Sequence, residues 1–234
     1  MSERGFLKIV AFKKGGCMKP YYETELGKLY HGDCLEIMPQ LEPVDLVLTD
    51  PPYGINHSTS HGASWANTKI QGDTNTDVRD EVLLNFDNVA AFGTWKTQPL
   101  QGIRGCLVWD KGPAFGMGDL SFPWKPSFEL IYIKGSVWVG RRDEGVLRGH
   151  IQVSWENVGM GRDHPHQKPV SLICYLIEKA LGVEIILDPF IGSGTTAIAC
   201  ERLNRRWIGI EISEKYCEIV AKRIEQEAAQ LKMF

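Results

Sequence analysis

The sequence predicts an α/β fold: a doubly wound, mostly parallel sheet with helices on both faces. Three observations carry that expectation. Short apolar runs recur between turn residues, at 27–33, 44–50, 104–110, 128–135, 183–189 and 206–212. Several are apolar throughout rather than alternating, as in "VDLVLTD" and "VEIILDP", which suits strands covered on both sides. Helical patterns lie between them, and one strand-to-helix junction is the glycine-rich "LDPFIGSGTTAIAC" at 187–200.

In chain order, residues 1–24 are expected as an N-terminal extension, and 25–234 as a single domain. The run at 44–50 leaves its strand through Asp50-Pro51-Pro52-Tyr53. That exit reads either as a plain turn or as a rigid wall carrying an acid and an aromatic ring. Residues 55–76 are polar and glycine-containing, the composition expected of a mobile loop. Residues 136–163 interleave Arg141, Arg142 and Arg148 with Trp138 and Trp155, a pattern suited to phosphates and bases or to a solvated excursion with two core tryptophans.

"VSLICYLIEKAL" (170–181) carries apolar residues at helical spacing, and Thr195 to Leu203 reads as a short helix opened by glycines. The last segment, 213–232, starts at a serine cap and places Tyr216, Ile219, Val220 and Ile224 on one stripe.

The glycine turn puts backbone N–H groups and a helix N-terminus around a ligand. It lacks the lysine of a phosphate-binding loop and the third glycine of the dinucleotide fingerprint, so neither nucleoside triphosphate nor dinucleotide is favoured. Glu211 ends the next strand, where α/β nucleotide sites hold a ribose diol; the bland reading is a capping or surface acid.

A net charge of −3 excludes a uniformly basic coat but not a local basic face. The six cysteines include no C-x-x-C pair, which disfavours a disulfide framework or a zinc site and fits a cytoplasmic setting. His164 and His166 lack a third ligand nearby in sequence, so no metal is expected. "FLKIVAF" is too short for a signal-peptide core, and no run nears the roughly 18 apolar residues of a membrane span.

"TDPPYG", "DPFIGSGTTAIA", "HPHQKP" and "GIEISEKY", taken together, resemble the β-class of amino-methylating DNA methyltransferases over about residues 25 to 225. That resemblance implies a Rossmann-like class I methyltransferase sheet. Its motif order is circularly permuted, with the Asp-Pro-Pro-Tyr motif before the glycine-rich one. It implies S-adenosylmethionine as cofactor and double-stranded DNA as substrate, in a restriction–modification setting. The 136–163 stretch matches the family's target-recognition insertion; its shortness favours a homodimer.

Carried over motif by motif, Asp50, Pro51, Pro52 and Tyr53 would form the catalytic wall. Asp188, Phe190, Gly192, Gly194, Thr195 and Thr196 would surround the methionine and sugar of the cofactor, and Glu211 would take its ribose hydroxyls. Asp33 would lie near the adenine amine, and Lys168 and Pro169 would close over the amino-acid end. Arg141, Arg142 and Arg148 are the expected DNA contacts.

The chemistry fits these residue types. An exocyclic amine is a poor nucleophile because its lone pair is delocalised, and it is unreachable inside a duplex, so the base must be flipped out. An acid and a fixed carbonyl aimed at the amine hydrogens localise the lone pair, and a tyrosine face stacks the base. No Pro-Cys pair occurs, which argues against carbon-5 cytosine methylation. Aspartate as the motif's first residue points to adenine N6 within the resembled family. The alternatives are cytosine N4 and, less well matched, an RNA N-methyltransferase.

Overall fold

A computed structural model describes residues 18–54, 75–112, 121, 123–124, 127–149 and 167–231. Among the described residues nine strands form one sheet: β1 Tyr22–Glu23, β2 Gly27–His31, β3 Leu46–Thr49, β4 Val89–Gly93, β5 Gly105–Asp110, β6 Phe128–Lys134, β7 Val146–Leu147, β8 Ile185–Asp188 and β9 Arg206–Glu211. Among the described residues five α-helices accompany them: α1 Cys34–Ile37, α2 Asp77–Leu84, α3 Val170–Glu178, α4 Thr195–Arg202 and α5 Glu214–Leu231. All six apolar runs are strands, and the three expected helices are α3, α4 and α5.

The sheet order is β1-β2-β9-β8-β3-β4-β6-β5-β7. From β2 to β4 every neighbour is parallel, whereas β6 runs antiparallel to both β4 and β5. β3, β4 and β8 are buried along their whole length, as central strands with covered faces must be. Leu46 and Leu48 of β3 pack with α3, α4 and α5, while Val47 packs on the other face with residues of α1 and α2. Helices therefore cover both faces.

The strand that carries the glycine motif, β8, lies beside β3 although it comes late in the chain. From β8 the chain continues to β9 on one side, and from β3 to β4 on the other. The sheet thus reverses its strand order between β8 and β3, and a crevice at such a switch point, outside the carboxyl ends of the strands, is where open α/β sheets bind ligands.

Two elements had weak local signals. β4 reads Val-Ala-Ala-Phe-Gly, a composition of low strand propensity, and it forms because β3 and β6 offer it partners on both edges. Its Gly93 is required by packing, since a Cβ there would fall 2.4 Å from the Tyr132 ring. Tyr22 and Glu23 lie within the span expected as an extension, yet they pair with Leu29 and Lys28 of β2 and so join the sheet. The 55–76 loop lies outside the described residues apart from its last two positions, and His164, His166 and Trp155 lie outside them altogether.

Candidate active site

Asp50 follows β3 directly, and Asp188 ends the neighbouring β8. Thr49 Oγ1 donates to Asp188 Oδ1 at 2.6 Å, joining two motifs 139 residues apart. Asp188 Oδ1 also accepts from the Phe190 amide at 3.1 Å, and Oδ2 accepts from Thr196 Oγ1 at 2.6 Å. Expected alongside the cofactor, Asp188 is in this structure a buried brace that fixes the start of the glycine turn. Burial pushes its carboxyl up from 3.8 to about 6, against the pull of the Thr196 and Thr49 hydroxyls and the Phe190 amide.

The folded state then holds this proton more tightly than the unfolded chain, so Asp188 lowers stability as pH rises from 3.8 to about 6. Asp188→Asn should flatten that segment of the stability–pH curve in thermal melts. Glu211, also raised by burial, acts in the same sense and leaves a residual slope. An unchanged slope in the variant would remove Asp188 as its source.

The turn itself needs its glycines. Gly194 sits at φ +84°, where a Cβ would lie 2.9 Å from Val220 of α5. Gly192 sits at φ +53°, and a Cβ there would meet nothing nearer than the Phe190 carbonyl at 3.9 Å, so the space it faces is open to a ligand. Ser193, Thr195 and Thr196 are buried, and Arg223 of α5 donates to the Ser193 carbonyl. Glu211 Oε2 accepts from the Gly192 amide at 3.0 Å and Oε1 from the Ser213 amide at 2.9 Å. A carboxylate has about four acceptor positions, so Glu211 can clamp the turn and still face a diol.

Asp33 caps α1, accepting from the Leu35 amide at 2.9 Å. The Gly32 amide donates to the Glu211 carbonyl at 2.9 Å, which puts Asp33 beside Glu211 at adjoining strand ends. The residues expected around the cofactor thus collect at the carboxyl ends of β2, β9 and β8.

Asp50 belongs to a second cluster. Tyr53 Oη donates to its Oδ1 at 2.7 Å, and Lys168 Nζ donates to its Oδ2. Lys168, expected at the cofactor's amino-acid end, also pairs with Glu129 Oε2 at 3.2 Å. Glu129 Oε1 in turn takes Lys111 Nζ at 2.8 Å. Two acids and two lysines balance in this partly dry site. Burial alone would raise the Glu129 carboxyl, but Lys168 and Lys111 bring it down to about 2. Burial would lower the Lys168 ammonium, and Asp50 and Glu129 reverse that. Pro51 is buried and Pro52 half-buried, and Tyr53 packs against the core.

Glu129 was missed in the sequence, where it reads as the polar position of a half-buried strand. A signal existed: it is the one acid in "FELIYIK". Lys111 has a side chain only 10% exposed. Trp109 is core, edge-to-face with Phe92 at 6.2 Å. Pro169 is buried at the start of α3.

The arginines expected to meet DNA are exposed on the segment after β6. Arg148 pairs with Glu144 at 2.9 Å, and the Arg141 carbonyl accepts from Lys179 Nζ at 3.0 Å. Trp138 takes its bland reading: it packs on the core, and its Nε1 donates to the Lys134 carbonyl at 2.8 Å. Among the described residues no group of three or more His, Cys, Asp or Glu side chains could hold a metal, and no helix is long and apolar enough to cross a membrane.

A family model described as DNA methylase, for N6 and N4 methyltransferases, matches residues 127–222. The chain is 39% identical to the Type II methyltransferase M.HinfI of Haemophilus influenzae, over 89% of this chain and 71% of that protein. Among solved structures, the M1.HpyAVI complex with S-adenosylmethionine superposes with a TM-score of 0.58 at 24% identity, covering 85% of this chain and 100% of the other. The PvuII DNA methyltransferase, a cytosine-N4-specific enzyme, gives a TM-score of 0.58 at 19% identity, over 90% of this chain and 93% of that one. Both structural likenesses bear on the fold.

Proposed function

Because the chain belongs to the N6/N4 family of DNA methyltransferases, we propose that it methylates the N6 amine of a flipped-out adenine in duplex DNA, at a specific site. The observation that supports this reading best is the Thr49–Asp188 hydrogen bond, which fixes Asp50 at the strand end beside the glycine turn. Acceptor and cofactor cradle then meet across one switch point.

Enzymes of this family take the methyl group from S-adenosylmethionine, whose sulfonium supplies an activated methyl and a good leaving group. Gly192, Gly194, Phe190, Thr195 and Thr196 would hold its methionine and sugar, Glu211 the ribose hydroxyls, and Asp33 the adenine amine. The open space at Gly192 and the two-sided Glu211 carboxylate fit that role.

The remaining work falls to the chain's own side chains. Asp50 and the Pro51 carbonyl accept from the two amine hydrogens and draw the nitrogen toward tetrahedral geometry, so its lone pair leaves the ring plane. The Asp50 charge also stabilises the positive charge that develops on the nitrogen. Proline fixes its own backbone φ, which holds that carbonyl in place. Tyr53 stacks the extruded base, a contact of about 1–3 kcal/mol. Aspartate rather than serine at the head of the motif favours adenine over cytosine.

The test is transfer of labelled methyl from S-adenosylmethionine to unmethylated plasmid DNA, followed by nucleoside identification. N6-methyladenine is the expected product. N4-methylcytosine would keep the fold and the grip and overturn the base; no label in DNA would overturn the reading.

Arg141 and Arg142 are proposed to neutralise DNA phosphates. Replacing both by alanine should weaken DNA binding and flatten its log–log salt dependence by about one to two units of slope. An unchanged slope would return the segment to a solvated excursion.

A further inference from the structure

Lys168 has more to do than close a lid. Its Nζ is held between two carboxylates, Asp50 and Glu129, and lies 4.9 Å from the centroid of the Phe92 ring and 6.0 Å from that of Tyr53. Its side chain is 7% exposed, and Glu129 is anchored from behind by Lys111. An ammonium carries three N–H donors, and among the described residues Asp50 and Glu129 occupy two. The cation therefore sits beside the acid that is to grip the amine, against the tyrosine on which the base is to stack.

We propose that Lys168 donates a hydrogen bond to the ring nitrogen next to the target amine, N1 of adenine, so that Asp50 and Lys168 together read the amine and its bare neighbour as one donor–acceptor edge. This rests on the adenine reading above. A carboxylate beside an ammonium is complementary to that edge: the acid accepts from the amine, and the lysine donates to the unprotonated nitrogen. Thymine and hypoxanthine present an N–H where adenine presents N1, so each would set a donor against a cation. Glu129 is the positioning residue. When the base engages Asp50, Glu129 retains Lys168, and Lys111 balances the charge that Glu129 brings. Donation to N1 withdraws electrons from the amine, so the gain falls on capturing the base rather than on the methyl-transfer step.

The experiment uses duplexes containing the recognition site mapped from methylated positions in plasmid DNA. The target carries adenine, 1-deazaadenine (N1 replaced by CH) or 7-deazaadenine as control. For the unmodified enzyme, kcat/KM should fall about 10- to 100-fold with 1-deazaadenine, as for loss of a hydrogen bond to a charged group, and should change little with 7-deazaadenine. The loss should appear mainly in KM. Lys168→Met should lower kcat/KM on adenine by a similar factor and respond less than about threefold to the same N1 replacement, the non-additivity expected of groups in contact.

Equal activity of the unmodified enzyme on adenine and 1-deazaadenine would overturn the proposal, whether or not Lys168→Met folds. So would a full additional loss with 1-deazaadenine in that variant. Failure to methylate adenine in the unmodified duplex would instead overturn the adenine reading. If the product is N4-methylcytosine, the same comparison with 3-deazacytosine decides the role of Lys168, because N3 of cytosine stands in the place of N1.

Discussion

Asp50→Ala is expected to lower kcat by about 10²-fold or more while the Kd for S-adenosylmethionine stays within a few-fold, the loss found when one preorganised transition-state hydrogen bond is removed. The two effects separate because the structure separates their causes. The glycine turn is held by Thr49, Asp188, Thr196 and Glu211, and none of those hydrogen bonds uses the Asp50 carboxylate. Single-turnover methyl transfer and cofactor titration measure the two quantities independently. Near-normal turnover in the variant would remove the amine grip from the mechanism. A variant that lost cofactor binding as well would show that Asp50 braces the crevice rather than the amine.

The second large effect is on stability. Glu129→Leu takes from Lys168 and Lys111, with side chains 7% and 10% exposed, the carboxylate that both of them pair with. Removing one member of a buried ion pair costs about 3–5 kcal/mol because the remaining charge stays desolvated. For a chain of this size that corresponds to a fall in Tm of roughly 6–20 °C.

The pH dependence gives an independent check. Glu129 is held at about 2 against an ordinary 4.5, so its contribution is fully present above pH 4.5 and disappears as pH falls through the folded value. The unmodified protein should therefore lose stability more steeply than Glu129→Leu between pH 4.5 and about 2. Coincident melting temperatures would show that the network contributes nothing to folding.

Much of this molecule is legible from its residues. Ile185 to Asp188 and Leu46 to Thr49 are apolar on both faces, and only a strand inside a covered sheet keeps such a run out of water. The glycines of 192–194 announce a turn that needs positive φ, and the acids at the ends of β3 and β9 stand out because each follows an apolar strand. These are local properties. β4 was less legible, since Ala90, Ala91 and Gly93 have little preference of their own, and neighbours on both edges make the strand.

The sequence by itself determined the strand-and-helix alternation, the glycine turn, the Asp-Pro-Pro-Tyr exit and the motif order that implies a permuted sheet. Each motif and element depends on residues within about one element of one another, and the motif order is read directly along the chain. Only the tertiary structure decided that Thr49 ties Asp50 to the glycine turn, that Asp188 is a buried brace, and that Lys168, Glu129 and Lys111 complete the site around Asp50. Lys168 and Asp50 are 118 residues apart, and Lys111, just past the end of β5, meets Glu129 on the antiparallel strand β6. A charge in a sequence carries no record of its partner. Its reading as solvated or buried is fixed only when the sheet brings the opposite charge against it and water is excluded from both.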